Sequence, residues 1–215
     1  MLHYTEYNLS ATGNNANANL LGIYKARQME CELVGDHDSR TLWRGYSPVN
    51  GTLYASDLAT TLRCLQADLT RYAAQAGLRL RQSMATEALH QMQLGDLLRT
   101  KTLLLNEADL RDQLTEANVR TIYPQAVQVV PLATIEATVL SGDTRYTYVR
   151  YLASPGGGAC YRVVDVATGE KVSDFPPSPE VGITKKQLQS LAPSDASAKR
   201  GASQRARLQQ MLSPH

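Results

Sequence analysis

Residues 160–175 read CYRVVDVATGEKVSDF, and this stretch points most directly to a fold class. Two segments rich in β-branched residues, Cys160 to Val166 and Lys171 to Phe175, predict strands. Between them, Ala167-Thr168-Gly169-Glu170 predicts a tight turn in which Gly169 supplies a positive φ. The stretch therefore predicts an antiparallel hairpin.

Upstream of this hairpin, the chain changes character at Tyr123-Pro124. Period-2 alternation and β-branched enrichment predict further strands at Val127 to Val130, at Ile135 to Val139 and, after a turn at Ser141-Gly142-Asp143, at Tyr146 to Leu152. Residues 123–177 are thus predicted to form an antiparallel β meander.

The strongest helical signal follows Ser56, a good N-cap. Gly77 is placed to end this helix. Apolar residues repeat between them with the spacing 4-3-4-3-4 of an a/d seam, and the seam residues are Leu58, Leu62, Leu65, Leu69, Tyr72 and Ala76. A helix packed within a bundle and a seam between subunits explain this spacing equally well. We predict that the seam is an interaction surface.

The region around the seam helix is predicted to contain about three helices. A short helix with a loose apolar pattern precedes the seam helix, and a second and a third helix follow it. Leu20 to Leu33 fits an apolar stripe loosely, residues 84–105 are apolar over a wide face, and Asn106 is a candidate N-cap with Asp109 at the N3 position. Residues 20–122 are therefore predicted to be a helical region. The fold class is α+β: an N-terminal helical bundle followed by the β meander, with flexible arms at both ends.

The two ends offer little apolar surface. Residues 1–19 predict an extended N-terminal arm, and residues 178–215 predict a basic, largely irregular C-terminal tail. Within the tail, Thr184 to Leu191 predicts one short helix, and a last turn is predicted around Leu208 to Leu212.

The tail also concentrates positive charge. Against Glu180 and Asp195, it carries six basic residues: Lys185, Lys186, Lys199, Arg200, Arg205 and Arg207. Residues 176–215 therefore have a net charge of +4, and the other 175 residues sum to −2 because the whole chain is +2. Such a tail predicts either a solvated flexible end or contact with nucleic acid or an acidic surface.

Recognisable catalytic chemistry is missing from the sequence pattern. The run Gly156 to Gly158 lacks the lysine and helix of a phosphate-binding loop, and the four histidines pair with no cysteine at zinc-ligand spacing. His90 is interpreted as a partly buried helical residue, and Cys160 as a small buried apolar residue rather than a nucleophile. We therefore predict no cofactor, no metal and no enzymatic activity.

Location follows from cysteine usage and hydropathy. Three widely separated cysteines (Cys31, Cys64 and Cys160) predict no disulfide framework and are typical of a reducing cytoplasm. No apolar leader and no membrane span are predicted.

The hairpin also resembles the closing hairpin of the FlaG family of flagellar proteins. Val163 to Pro177 matches that family's valine-rich strand, Asp-x-x-Thr-Gly-Glu turn and second strand ending in Pro-Pro, and Tyr151 lies about where the family has an aromatic residue. Ser173 stands where the family has arginine. The resemblance covers residues 151–177 and implies a role in flagellar filament assembly.

These patterns favour a non-enzymatic structural or interaction subunit of a large bacterial or phage assembly, such as a virion or a secretion-type machine. Its predicted partners are protein subunits in a homo- or hetero-oligomer, with nucleic acid as a second partner of the basic tail. It would be cytoplasmic before assembly and part of the virion or flagellum afterwards. A FlaG-like flagellar accessory protein is the first alternative, and an enzyme of unfamiliar type is the second.

Overall fold

The computed structural model describes residues 2–9, 24–34, 39–47, 55–75, 78–153, 159–176, 182–192 and 195–212. It describes side chains in residues 55–75, 78–151, 161–176, 182–192 and 201–212. The strands are β1 (Leu2–Leu9), β2 (Tyr24–Val34), β3 (Ser39–Ser47), β4 (Thr102–Asn106), β5 (Val127–Val130), β6 (Tyr146–Ala153), β7 (Ala159–Asp165) and β8 (Lys171–Asp174). The helices are α1 (Ala55–Gln75), α2 (Leu80–Thr100), α3 (Glu116–Ile122), α4 (Leu132–Ser141), α5 (Lys185–Leu191) and α6 (Asp195–Leu212).

The main sheet has the strand order β5-β4-β6-β7-β8. Strand β4 lies between β5 and β6 and runs parallel to both, whereas β6, β7 and β8 are antiparallel neighbours. Mixed helix and strand confirm the α+β class. The predicted meander is correct only for β6 to β8, because β5 pairs in parallel with β4 and a helix separates it from β6.

That helix, α4, lies where a strand was predicted at Ile135 to Val139, so this prediction was wrong. Ile135 and Val139 are buried, but Ala137 between them is exposed. A spacing of four residues satisfies both a period of 2 and one helical turn, and only the exposure of Ala137 separates the two. Pro131 begins the helix at its N-cap, and Gly142 ends it in the left-handed conformation at φ 69°.

The second predicted helix extended too far. Helix α2 ends at Thr100, and Leu103 to Leu105 form the buried strand β4. A short run of leucines fits a buried parallel strand as well as a helix. The third predicted helix is also wrong. Asn106 caps only a 3-10 turn at Glu107–Asp109, and the next α-helix, α3, begins at Glu116 with Thr115 as its N-cap.

The first predicted helix, Leu20 to Leu33, is the strand β2 from Tyr24 onwards. It pairs with β1 and β3 in a separate antiparallel sheet of order β1-β2-β3, and β3 contacts α1. Met29, Cys31 and Leu33 alternate with polar residues, which is the period of a strand. The predicted N-terminal bundle is therefore not confirmed.

The structure differs from the predicted N-terminal arm and C-terminal tail, because parts of both form regular elements. Residues 2–9 of the N-terminal arm form β1, and residues 10–19 lie outside the described residues. In the tail, the short helix predicted from Thr184 is confirmed as α5, whose capping box joins Thr184 and Gln187. The prediction of irregular sequence beyond it was wrong, because residues 195–212 form α6, which packs against α2.

Two apolar clusters lie on the two faces of the main sheet. One joins β-strand residues to the end of α2 and to α3 and α5, through side chains such as Leu98, Val119 and Leu188. The other joins Tyr148 and Val164 to α4. Helix α1 packs on the α4 side of the sheet, where it contacts both α4 and the turn between β7 and β8.

Candidate interaction face and the polar side of α1

Hydrogen bonds among its own residues stabilise the turn between β7 and β8. The buried carboxylate of Asp165 accepts hydrogen bonds from the backbone nitrogen and hydroxyl of Thr168, at 3.2 and 3.1 Å. Gly169 has φ 70°, and its nitrogen donates to the Asp165 carbonyl at 2.8 Å. Lys101, just beyond α2, forms an ion pair with Asp165. The predicted turn and its positive φ are confirmed.

Helix α1 lies directly on this turn. A Cβ atom added to Gly169 would stand 2.2 Å from the carbonyl oxygen of Thr60 and 2.9 Å from the nitrogen of Cys64. Backbone therefore meets backbone at this point, and only glycine leaves enough room. The sequence predicts the turn, but it carries no signal for the helix that covers it.

The side of α1 that faces the sheet is polar. Its buried residues are Ser56, Asp57, Thr60 and Thr61. They meet polar side chains of β6, where residues two apart share a face of the sheet. The carboxylate of Asp57 lies 2.7 Å from Arg150 Nη2, and Thr60 Oγ1 lies 2.7 Å from Tyr148 Oη.

These contacts set the environment of the buried partners. Burial raises the pKa of Tyr148, which keeps its hydroxyl protonated as a hydrogen-bonding group. Asp57 and Arg150 are each less than a tenth exposed, so each is the neutralising charge of the other in a dry environment. Polar pairing rather than apolar burial thus fixes the orientation of α1.

Further along α1, Arg71 ties three parts of the fold together. Its guanidinium pairs with Asp68 on α1, with Glu87 on α2 at 3.4 Å and with the buried Glu170 of the β7–β8 turn. His90 Nε2 on α2 also lies 2.8 Å from Glu170 Oε1. We call Asp68, Arg71, Glu87, His90 and Glu170 the charged cluster.

Glu170 is the member of the charged cluster whose carboxyl pKa the fold lowers. Burial by itself raises the pKa of the Glu170 carboxyl, but hydrogen bonds from Arg71 and His90 outweigh burial and hold the pKa below its ordinary value. The carboxylate therefore stays ionised at neutral pH. His90, interpreted from sequence as a partly buried helical residue, is half-buried and serves as a partner of Glu170.

The charged cluster borders a cleft of about 640 Å³ between α1 and α2. Ala67, Ala74 and Leu89, the β7–β8 turn and Leu212 of α6 line this cleft. The hydroxyl of Thr168, which also lines the cleft, donates a hydrogen bond to Asp165. Arg71 and Glu170 neutralise one another through direct contact. The charged cluster therefore links α1, α2 and the β7–β8 turn.

The opposite side of α1 carries the predicted seam. Leu58, Leu62 and Tyr72 are 43%, 42% and 59% exposed, and Leu65 and Leu69 are half-buried. Ala76 lies outside the described residues. The expectation of a helix packed by its seam inside a bundle therefore does not fit the chain, since α1 buries its polar side and leaves Leu58, Leu62 and Tyr72 of the seam exposed.

Further exposed apolar residues lie just before α2 and in its first turns. Leu80 and Met84 are 77% and 65% exposed, and Leu78 is exposed as well. By contrast, Asp57 and Arg63 on α1 point into the protein, where Arg63 donates hydrogen bonds to carbonyls at the end of α4. We call the seam side of α1 its outer face, and the exposed residues of that face between 55 and 75 carry no charge.

The basic tail residues whose side chains the structure describes lie on two helices, α5 and α6. Lys185 and Lys186 are exposed at the start of α5, and Arg207 is exposed on α6. Arg205 is committed to an ion pair with Asp96 of α2. The side chains of Lys199 and Arg200 lie outside the described ones.

Within the described part of the chain, no group of three or more His, Cys, Asp or Glu side chains is arranged to hold a metal ion. None of the helices in that same part is both long and apolar enough to cross a membrane. No family model matches the chain, and neither a curated protein nor a solved structure does. The FlaG resemblance of residues 151–177 therefore stays a prediction.

The charged cluster makes a prediction about pH. A carboxyl whose pKa is lowered by folding stabilises the folded state above its ordinary pKa, and this stabilisation is lost as the pH falls through the folded-state pKa. We expect Glu170→Gln to lower the free energy of unfolding at pH 7 by about 1–3 kcal/mol, because Arg71 and His90 lose a charged acceptor. The difference from the parent should shrink below pH 4.5, the ordinary value for glutamate.

Urea denaturation of both proteins between pH 7 and pH 3 checks this expectation. Glu87→Gln is the matched control, since Glu87 contacts the same arginine but is nearly half exposed. Its effect should not exceed about 1 kcal/mol. A difference between Glu170→Gln and the parent that is the same at both ends of the pH range would contradict the role given to Glu170.

Proposed function

We propose that this protein is a non-enzymatic interaction subunit of a larger assembly, and that the outer face of α1 is the surface by which it joins its neighbour. The observation that carries the proposal is the inverted orientation of α1. A helix of a soluble protein ordinarily buries its apolar stripe and turns its charges to solvent. Here Asp57 and Arg150 pair in the interior, while Leu58, Leu62 and Tyr72 face outward.

The energetics favour a covered outer face. Burying apolar surface contributes roughly 25 cal/mol for each Å², so exposed leucine and tyrosine side chains at regular spacing leave a sizeable gain unused in the isolated chain. Contiguous apolar patches on soluble proteins mark interaction sites, and the centres of interfaces are depleted in charged residues. The outer face exposes Leu58, Leu62 and Tyr72, and its exposed residues carry no charge.

The arrangement of charged groups supports a binding role rather than catalysis. A general acid or base must be able to exchange its proton with a substrate. In the cleft, Arg71, His90 and Glu170 are bonded to one another across three elements of the fold. The proposal keeps the kind of assembly inferred from the sequence, a bacterial or phage particle or a secretion-type machine entered from the cytoplasm.

Site-specific photocrosslinking in the cells that make the protein tests the proposal. A photoreactive amino acid at position 62 should give a discrete adduct of higher mass, because Leu62 lies in the middle of the outer face. The same amino acid at position 117 is the control, since Ala117 is exposed on α3, away from α1. No adduct from position 62, or equal adducts from both positions, would overturn the proposal.

A further inference from the structure

We infer that the partner on the outer face of α1 is a second copy of this chain, paired with α1 antiparallel to its counterpart. This inference rests on the proposed function and names the partner. A two-fold dimer of this kind is isologous, so the same surface of both copies forms the contact.

The first observation is the spacing of the outer face. From Leu58 to Tyr72 its apolar residues repeat with the spacing 4-3-4-3, and all five are exposed or half-buried rather than enclosed by the fold. Knobs-into-holes packing requires a partner helix with the same repeat, and a second copy of α1 supplies it. Because the repeat spans only two and a half heptads, we expect a weak dimer with a dissociation constant on the order of micromolar.

The second observation is charge. Exposed residues of α1 on this face are uncharged, so two copies can approach without like-charge repulsion. Charges begin just before α2 and in its first turn, where Arg79 and Arg81 are exposed. A parallel pair would bring the four arginines of two copies together. An antiparallel pair separates them by the length of α1, about 30 Å, which exceeds the screening length of about 8 Å in physiological salt.

The antiparallel arrangement also pairs the four seam residues from Leu62 to Tyr72. In antiparallel helix pairs, an a position of one helix packs against a d position of the other. One register satisfies this rule within α1: Leu65 lies opposite Leu69 of the second copy, and Leu62 lies opposite Tyr72. The two-fold axis then passes midway between Leu65 and Leu69.

Cysteine crosslinking tests this register. The parent for the test has Cys31, Cys64 and Cys160 replaced by serine, and its unfolding is first matched to that of the natural chain. Leu62→Cys and Tyr72→Cys are then made in separate proteins. Mixing the two should give a disulfide-linked heterodimer under mild oxidation, whereas neither protein should link efficiently to itself.

The reason is distance. Ten residues of helix span about 15 Å, well beyond the Cα separation of about 7 Å that a disulfide tolerates. A parallel pair would do the opposite, with each protein linking to itself and not to the other. Efficient self-linking, or no linking at all in the mixture, overturns the inference.

Sedimentation equilibrium of the unmodified chain provides the second readout. We expect a concentration-dependent dimer, and we expect Leu62→Gln to raise the dissociation constant about tenfold or more, as truncation of a central contact does. Ala117→Gln, on exposed surface elsewhere, should leave it unchanged. A chain that stays monomeric up to about 100 times the expected micromolar range overturns the second copy as partner.

The two proposals fail in different ways. If the position-62 adduct contains another protein while the chain remains monomeric, the outer face is an interaction surface and the second-copy inference is wrong. If position 62 gives no adduct in cells and sedimentation shows no dimer, both are wrong.

Discussion

Gly169→Val should destabilise the protein by about 3–5 kcal/mol, one of the two largest effects that we expect from a single substitution. The turn alone accounts for about 1–3 kcal/mol, because a β-branched residue resists the φ of 70° found at this position. The added side chain must also displace α1, since its Cβ would lie 2.2 Å from the carbonyl oxygen of Thr60. Thermal or urea unfolding measures the sum of the two effects.

Gly95→Ala is the matched control for this prediction. Gly95 lies in the middle of α2, and a Cβ added there would meet no atom within 4 Å. Alanine should therefore stabilise α2 by about 0.5–1 kcal/mol. If Gly169→Val unfolds at the same denaturant concentration as the parent, α1 does not lie on the turn.

Asp57→Ala should destabilise the protein by about 3–5 kcal/mol, because it leaves Arg150 charged and buried without its partner. Glu116→Ala breaks the ion pair between Glu116 and Arg120 on the surface of α3 and should change stability by less than about 1 kcal/mol. The contrast isolates burial as the cause, since both substitutions remove one carboxylate from one arginine.

A double variant strengthens the test. Replacing Arg150 by Met in the Asp57→Ala background removes the stranded charge and should recover part of the lost stability. A double variant that is less stable than Asp57→Ala would show that the two residues do not form a pair. Chemical denaturation of all three variants at one pH is sufficient.

The sequence predicts an element correctly where the residues that specify it lie within that element. The turn at Gly169 has its own glycine and an Asp165 side chain that bonds within the turn, so no distant residue is needed to specify it. The same holds for α5, where Thr184 and Gln187 form a capping box within one turn of helix.

Elements whose pattern fits two periods were misassigned. Ile135 and Val139 are four residues apart, which suits a strand and a helix alike, and the choice is made by how the segment packs on the sheet. The run Leu103 to Leu105 became a strand because β5 and β6 pair with it from both sides, and both partners lie far along the chain.

The orientation of α1 could not be predicted either, because it also depends on residues far along the chain. Its leucine spacing is the stronger pattern, and it correctly predicts a helix, but it does not say which side faces the sheet. The buried side is selected by Tyr148 and Arg150, which are about 90 residues away and can be recognised as partners of Thr60 and Asp57 only once the strands are in place. Long-range polar pairing therefore overrides the apolar pattern.

The inverted orientation of α1 can be tested by comparing two substitutions on opposite sides of this helix. Thr60→Val keeps the shape of the side chain but removes the partner of the buried Tyr148 hydroxyl, 2.7 Å away, so it should destabilise the protein by about 1–3 kcal/mol. Leu62→Gln changes a residue that is 42% exposed and should cost less than about 1 kcal/mol when unfolding is measured on the dilute monomer. We predict that Thr60→Val is the less stable of the two. The reverse order, with Leu62→Gln clearly less stable than Thr60→Val, would mean that α1 buries its leucines and would contradict the account.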